Sequence, residues 1–467
     1  MTDYKLWING KAVDGSGEMS VLNPATEEFF ATIARSDECL ADEAIAACKA
    51  SQKLWARTSI AARQQALNCL ADGLNARAEE IAKVITLEQG KPIAESTAEV
   101  AYTEAFIRYF ATLELPVEVL QDDESKRVEL HRKPLGVVAC IIPWNFPLLI
   151  TSFKLPLALL AGNACILKPS PTTPITTALF AGICADVLPA GLVNTVNDEN
   201  DLGSYLTGHP DIAKVSFTGS TETGKKVMAS ASATLKRLTL ELGGNDPAII
   251  LPDVDVKDTA AKIFGAAFMN CGQVCLALKR AYVHDSIYDA MCDELGRLAS
   301  AAVVGDGLEA DTEIGPLNNR MQYEKVLGFL QTAKEAGTVV AGGEVPDKKG
   351  YFITPTIIRD VKDGDQIVDE EQFGPIMPVI KYSDVNDVIA RVNESNMGLG
   401  GSVWSNDLER AKEIALQVES GTVWINTHLD FGPNIPFGGA KQSGIGVEFA
   451  EDGFKEFTQV QVINQAK

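Results

Sequence analysis

The stretch Gly136–Ser170, GVVACIIPWNFPLLITSFKLPLALLAGNACILKPS, decides the fold of this chain. It begins with an apolar, β-branched run, Val137–Ile142, which is typical of a buried strand. Pro143–Pro147 interrupts this run, and Leu148–Leu160 then has the length and composition of a helix. A second buried strand is predicted at Ala164–Leu167. Because a strand, a helix and another strand follow directly, the stretch predicts a parallel βαβ unit.

The same alternation continues downstream. A helix is predicted at Ile175–Val187. Four strand-like runs follow it, at Val193–Val196, Ala213–Phe217, Leu238–Leu242 and Ala248–Leu251. Such a series predicts a doubly wound, largely parallel sheet whose strand ends converge on a ligand crevice. A second α/β series begins near Asp255 and ends at the glycine-rich segment 436–444. The predicted fold class is therefore α/β, with two doubly wound domains.

The segments around these two series have patterns of their own. Residues 36–113 show helical apolar periodicity and predict successive amphipathic helices, with Asp37 as the N-cap of one of them. Residues 115–132 alternate apolar and polar side chains, which predicts a protruding β-hairpin suited to meeting a partner subunit. The alternation in residues 457–464 predicts one more strand.

The composition argues against several classes of function. The chain has 41 Lys and Arg against 63 Asp and Glu, a formal net charge of −22, which does not favour binding to nucleic acid or anionic membranes. No signal-peptide pattern is present, and the longest apolar stretch, Phe146–Ala164, is interrupted by prolines, a lysine and an asparagine. The nine cysteines are odd in number and the four histidines lie far apart. We therefore expect a cytoplasmic protein with reduced thiols and no metal site.

Four places carry residue types suited to chemistry. Cys275 ends an Asn-x-Gly-Gln-x-Cys turn whose flexible backbone suits a nucleophile, although a lone cysteine more often packs as a small apolar side chain. Glu241 precedes two glycines at a strand end and is either a general base or a solvated acid. Asn145, between two prolines, is either an oxyanion donor or a turn former. Gly219 and Ser220 join a strand to a helix, as a phosphate site or an ordinary turn.

These motifs become specific when their order is considered. Together they resemble the NAD(P)-dependent aldehyde dehydrogenase superfamily over essentially the whole chain. The motifs are Pro143-Trp144-Asn145-Phe146-Pro147, Lys168-Pro169-Ser170, Phe217-Thr218-Gly219-Ser220, Glu241-Leu242-Gly243-Gly244, Asn270-x-Gly-Gln-x-Cys275, Glu371-x-Phe373-Gly374-Pro375 and Pro436-Phe437-Gly438-Gly439. The resemblance implies an NAD(P)-binding, Rossmann-like domain (1–114 and 135–247), a catalytic domain (248–445) and a small β oligomerisation element (115–134 and 446–467) that builds a homodimer or homotetramer.

The resemblance also implies catalytic roles. Cys275 would attack the aldehyde carbonyl as a thiolate, and the Asn145 side chain with the Cys275 backbone N–H would hold the oxyanion that forms. Glu241 would deprotonate the water that hydrolyses the thioester. One alternative is a thiol esterase that uses Cys275 and Glu241 without a redox step. Another is a binding protein on an inherited scaffold, which the joint presence of all three residues disfavours.

For the cofactor, the resemblance implies NAD, with NADP possible. The residues assigned to it are Lys168 at the adenosine ribose, Ser220 with Gly219 at the pyrophosphate, Glu371 at the nicotinamide ribose with Phe373 behind it, and Trp144 and Gly243 close by. Relatives that prefer NAD often carry a glutamate three residues after the lysine, where this chain has Pro171. The acids of the loop 197–200 are expected to restore the bias against NADP.

The predicted substrate tunnel is apolar. It is formed by Phe146, Ile150, Phe153, Met269, Val274, Leu276, Phe431 and Phe437. This lining predicts a neutral, hydrophobic or aromatic aldehyde as the small-molecule substrate, although any one of these residues could also be ordinary core. Succinic-semialdehyde-type dehydrogenases, the alternative, tend to carry Arg where Phe153 and Met269 stand. His428 and Asp430 are expected near the tunnel mouth, and Cys271 is expected to pack, with a redox role left open.

Overall fold

The computed structural model describes residues 2–467. Its N-terminal part has five short strands followed by four helices, which confirms the helices expected in 36–113. These elements are β1 (Thr2–Tyr4), β2 (Leu6–Ile8), β3 (Lys11–Val13), β4 (Gly17–Asn23), β5 (Glu28–Arg35), α1 (Glu38–Trp55), α2 (Ile60–Asn75), α3 (Ala78–Gln89) and α4 (Ile93–Phe110). Asp37 caps α1 as predicted, because its side chain accepts the Leu40 N–H at 2.9 Å.

The middle of the chain begins with a hairpin and then alternates strands and helices. These elements are β6 (Glu118–Asp122), β7 (Lys126–Pro134), β8 (Val137–Ile141), α5 (Pro147–Leu160), β9 (Ala164–Lys168), α6 (Pro174–Val187), β10 (Val193–Thr195), α7 (Gly203–Gly208), β11 (Ile212–Thr218), α8 (Thr221–Ala231) and β12 (Arg237–Glu241).

The last part of the chain contains the second α/β series and a terminal strand. These elements are β13 (Asp246–Ile250), α9 (Val256–Phe268), β14 (Leu278–His284), α10 (Tyr288–Ala301), α11 (Arg320–Ala336), β15 (Thr338–Ala341), β16 (Thr356–Val361), α12 (Gln366–Asp369), β17 (Ile376–Tyr382), α13 (Val385–Asn393), β18 (Met397–Gly398), β19 (Gly400–Trp404), α14 (Leu408–Ala415), β20 (Thr422–Ile425), β21 (Ala440–Lys441), β22 (Gly444–Ile445), α15 (Ala450–Glu456) and β23 (Thr458–Ala466).

The first large sheet has the strand order β10-β9-β8-β11-β12-β22. It is parallel except for β22, which runs antiparallel to β12. Every residue of β8 and β9 is buried, which explains why these strands read as continuous apolar runs rather than alternating ones. The strand order changes direction between β8 and β11, so a crevice opens at the carboxyl ends of these strands. The predicted doubly wound sheet is confirmed.

The second large sheet has the order β15-β16-β17-β14-β13-β19-β20, and only β15 is antiparallel. The prediction that Ala248–Leu251 continues the first series is wrong, because β13 belongs to this second sheet. Only the short turn 242–245 separates β12 from β13. A parallel neighbour in the same sheet would need a crossover of about a dozen residues, so the chain passes to the other sheet.

The third sheet, β23-β7-β6, is antiparallel. It confirms the hairpin predicted in 115–132 and the strand predicted in 457–464. Every residue of β6 is exposed, and apolar side chains such as Val119, Leu120 and Val462 are about half-exposed. The division of the chain into three domains and the contact of this sheet with a partner subunit stay predictions. Within residues 2–467, none of the helices is long and apolar enough to cross a membrane.

A buried carboxylate holds α6 in place beneath the first sheet. Glu88, near the end of α3, is fully buried and accepts the backbone N–H groups of Ile175 and Thr176 at 2.8 and 2.9 Å. These N–H groups belong to the first turn of α6, where they have no partner within the helix. Burial is the largest influence on Glu88 and raises the pKa of its carboxyl from 4.5 to about 7.

Glu88→Gln should change how the stability of the protein depends on pH. The folded protein binds the Glu88 proton more tightly than the unfolded chain does, so this group loses stabilising effect as the pH rises from 4.5 to about 7. We expect the free energy of unfolding of Glu88→Gln, relative to wild type, to increase across that range in urea titrations. Glu79→Gln, at an exposed position of α3, is the control for loss of one negative charge. If the difference in the free energy of unfolding between Glu88→Gln and wild type did not change with pH, the raised pKa of Glu88 would be contradicted.

Candidate active site

A strained turn presents Cys275 at the end of α9. The helix begins at Asp255, whose side chain accepts the Asp258 N–H and caps it. After the helix, the three residues Asn270–Gly272 all adopt left-handed φ angles of 49°, 57° and 72°. A Cβ atom on Gly272 would lie 2.4 Å from the carbonyl oxygen of Gly374, so only glycine fits there. The turn is therefore shaped by a close backbone approach.

Asn145 reaches this turn from the first sheet. It lies in the loop after β8 and is buried, and its side-chain amide donates to the carbonyl of Gln273 at 2.9 Å. In return, the Asn270 amide donates to the Asn145 carbonyl at 3.0 Å. The loop after β8 and the turn before Cys275 are thus joined by two hydrogen bonds, and the Asn145 amide binds the backbone two residues before Cys275.

Glu241 is the last residue of β12 and is buried in the crevice. Neither oxygen of its carboxylate has a hydrogen-bond partner among residues 2–467. Burial raises the pKa of this carboxyl well above its usual range, the Glu448 carboxylate raises it further and the Lys154 ammonium opposes the rise. Lys154 and Glu448 form a buried ion pair at 2.6 Å. Glu241 is therefore a carboxylate with free acceptors and strengthened basicity.

Several charged groups act on the Cys275 thiol. It is half-buried, and burial raises its pKa to about 12. The Lys279 ammonium lowers this pKa, whereas Glu371, Asp246 and Glu241 raise it. The thiol is thus protonated at neutral pH in this state. It needs a base to become a nucleophile, and Glu241 is one of the groups that act on it.

The residues predicted for the adenosine end of the cofactor lie at strand ends of the first sheet. The ammonium of Lys168, the last residue of β9, is 2.5 Å from a carboxylate oxygen of Asp198, after β10, and both side chains are buried. Ser220 caps α8 by accepting the Thr223 N–H at 3.2 Å, and Gly219 precedes it. A helix N-terminus behind a glycine suits a phosphate, and a carboxylate suits ribose hydroxyls.

The residues predicted for the nicotinamide end also converge. A Glu371 oxygen accepts the Gly244 N–H at 3.1 Å, and a Cβ atom on Gly243 would lie 2.4 Å from the other carboxylate oxygen. The rings of Trp144 and Phe373 meet edge to face with centroids 5.4 Å apart. The structure therefore brings the Glu241 loop, the loop before β17 and the loop after β8 to one place.

Three of the predicted tunnel residues belong to an aromatic cluster. The rings of Phe153, Phe437 and Phe431 lie 4.4, 5.5 and 6.4 Å from the ring of Phe449. Phe106, on α4, lies 5.2 Å from both Phe153 and Phe449. These five residues are called the phenylalanine cluster below. It is part of the apolar core against which Cys275 packs.

The other predicted tunnel residues divide into two groups. Ile150, Val274 and Leu276 are buried in that same core, and Phe146 packs against it. Met269 is 43% exposed and belongs to no buried cluster of the described chain. No measured contact places Met269 beside the phenylalanine cluster, so its place in the tunnel stays a prediction.

The three remaining candidates, His428, Asp430 and Cys271, lie in different surroundings. His428 was expected near the tunnel mouth, but it is buried, donates to the Leu276 carbonyl at 2.8 Å and bonds to the Ser402 hydroxyl. Burial lowers the His428 pKa to about 3, which keeps the ring neutral. Asp430 is exposed, and only its backbone carbonyl is engaged, by the Trp424 indole. Cys271 is a free thiol buried in the core of the second sheet.

Sequence reasoning missed a buried ion pair beneath the site. The Lys91 ammonium donates to the Glu99 carboxylate at 2.6 Å and to the Asn145 carbonyl at 2.8 Å, and both charged side chains are fully buried. The second Glu99 oxygen accepts the N–H groups of Leu148 and Leu149 at 3.0 and 3.1 Å. The pair therefore fixes the start of α5 and the backbone of Asn145 together.

Glu95, one helical turn before Glu99, extends this bracing to the Cys275 turn. Its carboxylate accepts the Asn270 N–H at 3.1 and 3.2 Å. The only sequence signal was the spacing of the two glutamates on one face of α4. That spacing is usually found on a solvated helix face, which is why it was overlooked.

The sequence and the fold are similar to those of known proteins. The fold and site define an α/β protein in which a thiol, a carboxylate and an amide converge between two sheets. The model of the aldehyde dehydrogenase family matches residues 11–463. The phenylacetaldehyde dehydrogenase of Pseudomonas fluorescens is 37% identical over 97% of this chain and 94% of its own length. The mitochondrial aldehyde dehydrogenase of Leishmania tarentolae is 38% identical over 99% of this chain and 95% of its own.

Solved structures agree. A mutant aldehyde dehydrogenase of Bacillus cereus superposes with a TM-score of 0.97 at 36% identity, covering 99% of this chain and 96% of the other. The betaine aldehyde dehydrogenase of Staphylococcus aureus in complex with NAD+ superposes with a TM-score of 0.96 at 32% sequence identity. The match covers 99% of this chain and 94% of the other. The chain therefore belongs to the aldehyde dehydrogenase family, whose members are oxidoreductases. The family resemblance and the fold class predicted from the sequence are confirmed.

Lys91→Met should destabilise the protein strongly. The substitution leaves the Glu99 carboxylate buried without its cation, and breaking one side of such a pair costs about 3–5 kcal/mol. Urea denaturation should show this loss in the free energy of unfolding. Lys83→Met, at an exposed position of α3, is the matched control and should cost less than about 0.5 kcal/mol. Equal stability of the two variants would show that the ion pair does not brace the site.

Proposed function

We propose that this protein oxidises a neutral, hydrophobic or aromatic aldehyde to its carboxylic acid with NAD as the electron acceptor. One observation carries the proposal: Cys275 packs against the apolar core that contains the phenylalanine cluster, while the Glu241 carboxylate acts on its thiol and the Asn145 amide binds its turn. Membership of the aldehyde dehydrogenase family supports the reaction class.

The first chemical step requires the Cys275 thiol to lose its proton. Glu241 is the base in this proposal, since its buried carboxylate has two free acceptors and a raised pKa. The thiolate then attacks the aldehyde carbon. The oxygen that becomes negative is held by the Asn145 side-chain amide and the Cys275 backbone N–H, which together form a two-donor oxyanion hole.

The donor set around the crevice fits a dinucleotide. Lys168 and Asp198 offer a cation and an acceptor for a ribose, and the N-terminus of α8 behind Gly219 offers N–H groups for a phosphate. Glu371 would hold the second ribose. When bound, the nicotinamide supplies the oxidising power by accepting a hydride from the carbon attached to the Cys275 sulfur. Asp198 favours NAD over NADP, because its carboxylate repels a 2′-phosphate.

The second half of the reaction is hydrolysis of the thioester on Cys275. Once its first proton has passed to solvent, Glu241 takes a proton from a water molecule, which attacks the acyl carbon. The carbon–sulfur bond then breaks, the Cys275 sulfur leaves as a thiolate, and the carboxylic acid is released. The same oxyanion hole holds the negative oxygen in this step. The Lys154–Glu448 pair behind Glu241 supplies one charge of each sign in a buried place, so Glu241 is surrounded by a fixed polar environment rather than water.

The substrate class is inferred from the phenylalanine cluster. Phe431, the partly buried member of the cluster, and the buried rings packed around it would offer apolar contacts to an alkyl or phenyl group and edge-to-face contacts to a phenyl group. The similarity to a phenylacetaldehyde dehydrogenase supports this assignment. A betaine aldehyde is the competing substrate, because aromatic rings also bind quaternary ammonium groups and structure neighbours include betaine aldehyde dehydrogenases.

We also propose that the protein forms a homodimer or homotetramer through its third sheet. The β6 and β23 strands expose apolar side chains, among them Leu120 and Ile463, at 55% and 44%. Exposed apolar edge strands are suited to pairing with another chain.

A substrate panel tests the proposed specificity. NADH formation should show a value of kcat/KM for phenylacetaldehyde, benzaldehyde and hexanal that is at least about tenfold above the value for succinic semialdehyde, since a buried charge without a partner cation is costly. Betaine aldehyde should rank with succinic semialdehyde. A preference for succinic semialdehyde or betaine aldehyde would contradict the proposed substrate class while leaving the reaction intact.

Glu241→Gln should separate the two halves of the reaction. Loss of a general base lowers the rate of the step that needs it by about 10²–10⁴-fold. This variant lacks the base for both halves, but water, with a pKa of about 15.7, is a far weaker acid than a thiol, so hydrolysis should be slowed more than the first step. We expect rapid-quench measurements to show a slowed first turnover that still forms one equivalent of NADH per active site, followed by much slower steady-state turnover. Cys275→Ala should form no NADH at all. Hydrolysis of p-nitrophenyl esters by the wild type without any aldehyde-dependent NADH would instead favour the thiol esterase.

A further inference from the structure

A buried lysine lies directly beneath the nucleophile. Lys279, in β14, is four residues after Cys275, and its side chain is only 2% exposed. Its ammonium donates to the carbonyl of Val274 at 2.8 Å and to the carbonyl of Cys275 at 2.6 Å. It also lies 3.3 Å from an oxygen of Glu371. One cation thus contacts both the backbone of the nucleophile and a carboxylate of the predicted cofactor site.

The charges around the Cys275 thiol are of opposite sign. Lys279 favours the thiolate, whereas Glu371, Asp246 and Glu241 are carboxylates that disfavour it. Asp246 is fully buried 3.8 Å from the His428 ring, which burial keeps neutral. A thiolate in such surroundings needs a nearby positive charge, because desolvation and the three acids all act against it.

We propose that Lys279 is a positioning residue for the nucleophile: it anchors the Cys275 carbonyl, stabilises the thiolate with its charge, and shares that charge with Glu371. The inference rests on the proposed role of Cys275 as the nucleophile. It adds a residue that the reaction scheme above does not use. It also gives Glu371 a second role, since the Glu371 carboxylate draws part of the Lys279 charge away from the thiol.

A purely structural role for Lys279 predicts something different. An ammonium that only satisfies two backbone carbonyls would affect the shape of the turn, and its loss would lower stability without a defined effect on thiol ionisation. An electrostatic role predicts effects of opposite sign from the two partners. Removing the positive charge should suppress the thiolate, and removing the carboxylate that shares the charge should promote it.

The test is the rate at which iodoacetamide alkylates Cys275 in the full-length protein, measured between about pH 7 and 10, where thiols ionise. The rate is followed on the Cys275 peptide by mass spectrometry, because Cys39 is exposed and Cys69 is partly exposed. At a fixed pH below the thiol pKa, Lys279→Met should react about tenfold or more slowly than wild type, and Glu371→Gln should react faster. Lys279→Arg should retain most of the wild-type rate.

Lys325→Met is the matched control. The exposed Lys325 ammonium donates to the Glu371 backbone carbonyl at 3.0 Å but does not contact the Cys275 turn, so this variant should alkylate at the wild-type rate. The inference is overturned if Lys279→Met and Glu371→Gln shift the rate in the same direction, or if Lys279→Met reacts as wild type does. Alkylation needs neither aldehyde nor cofactor, so these outcomes are independent of whether the protein forms NADH.

Discussion

The buried ion pair between Lys91 and Glu99 is the constraint on which the rest of the site depends. Taking two charges out of water costs several kcal/mol for each ion, and a buried pair is tolerated only when every donor and acceptor is used. Here the remaining bonds go to the Asn145 carbonyl and to the N-terminus of α5. The charges are therefore satisfied only when the loop after β8 has the geometry that points the Asn145 amide at the Cys275 turn.

The same burial that makes this pair costly also sets the chemistry. Burial raises the pKa of both Glu241 and Cys275, which makes the carboxylate a stronger base and the thiol a weaker acid. Glu241 ends a strand of the first sheet, Cys275 precedes a strand of the second, and the turn 242–245 carries the chain from the first sheet to the second. Glu241 thus lies where the chain leaves the first sheet for the second, at the carboxyl end of β12.

The parts of this account that the sequence predicts are those with local signals. The buried run Val137–Ile142 predicted β8, and Asp37 predicted the start of α1. Membership of β13 in the second sheet was missed, because an apolar run reports burial but not the sheet in which the strand pairs. The contact between Lys279 and Glu371 was missed as well, since the two residues are far apart in sequence and only the fold brings them together. Long-range pairs of charges leave no periodic signal.

The most direct test of the central claim is a crystal structure of the Glu241→Gln protein after exposure to NAD+ and phenylacetaldehyde. The account predicts an acyl group bonded to the Cys275 sulfur, with its oxygen about 3 Å from both the Asn145 amide nitrogen and the Cys275 backbone nitrogen. An unmodified Cys275 in crystals that have formed NADH, or an acyl group on another residue, would contradict it.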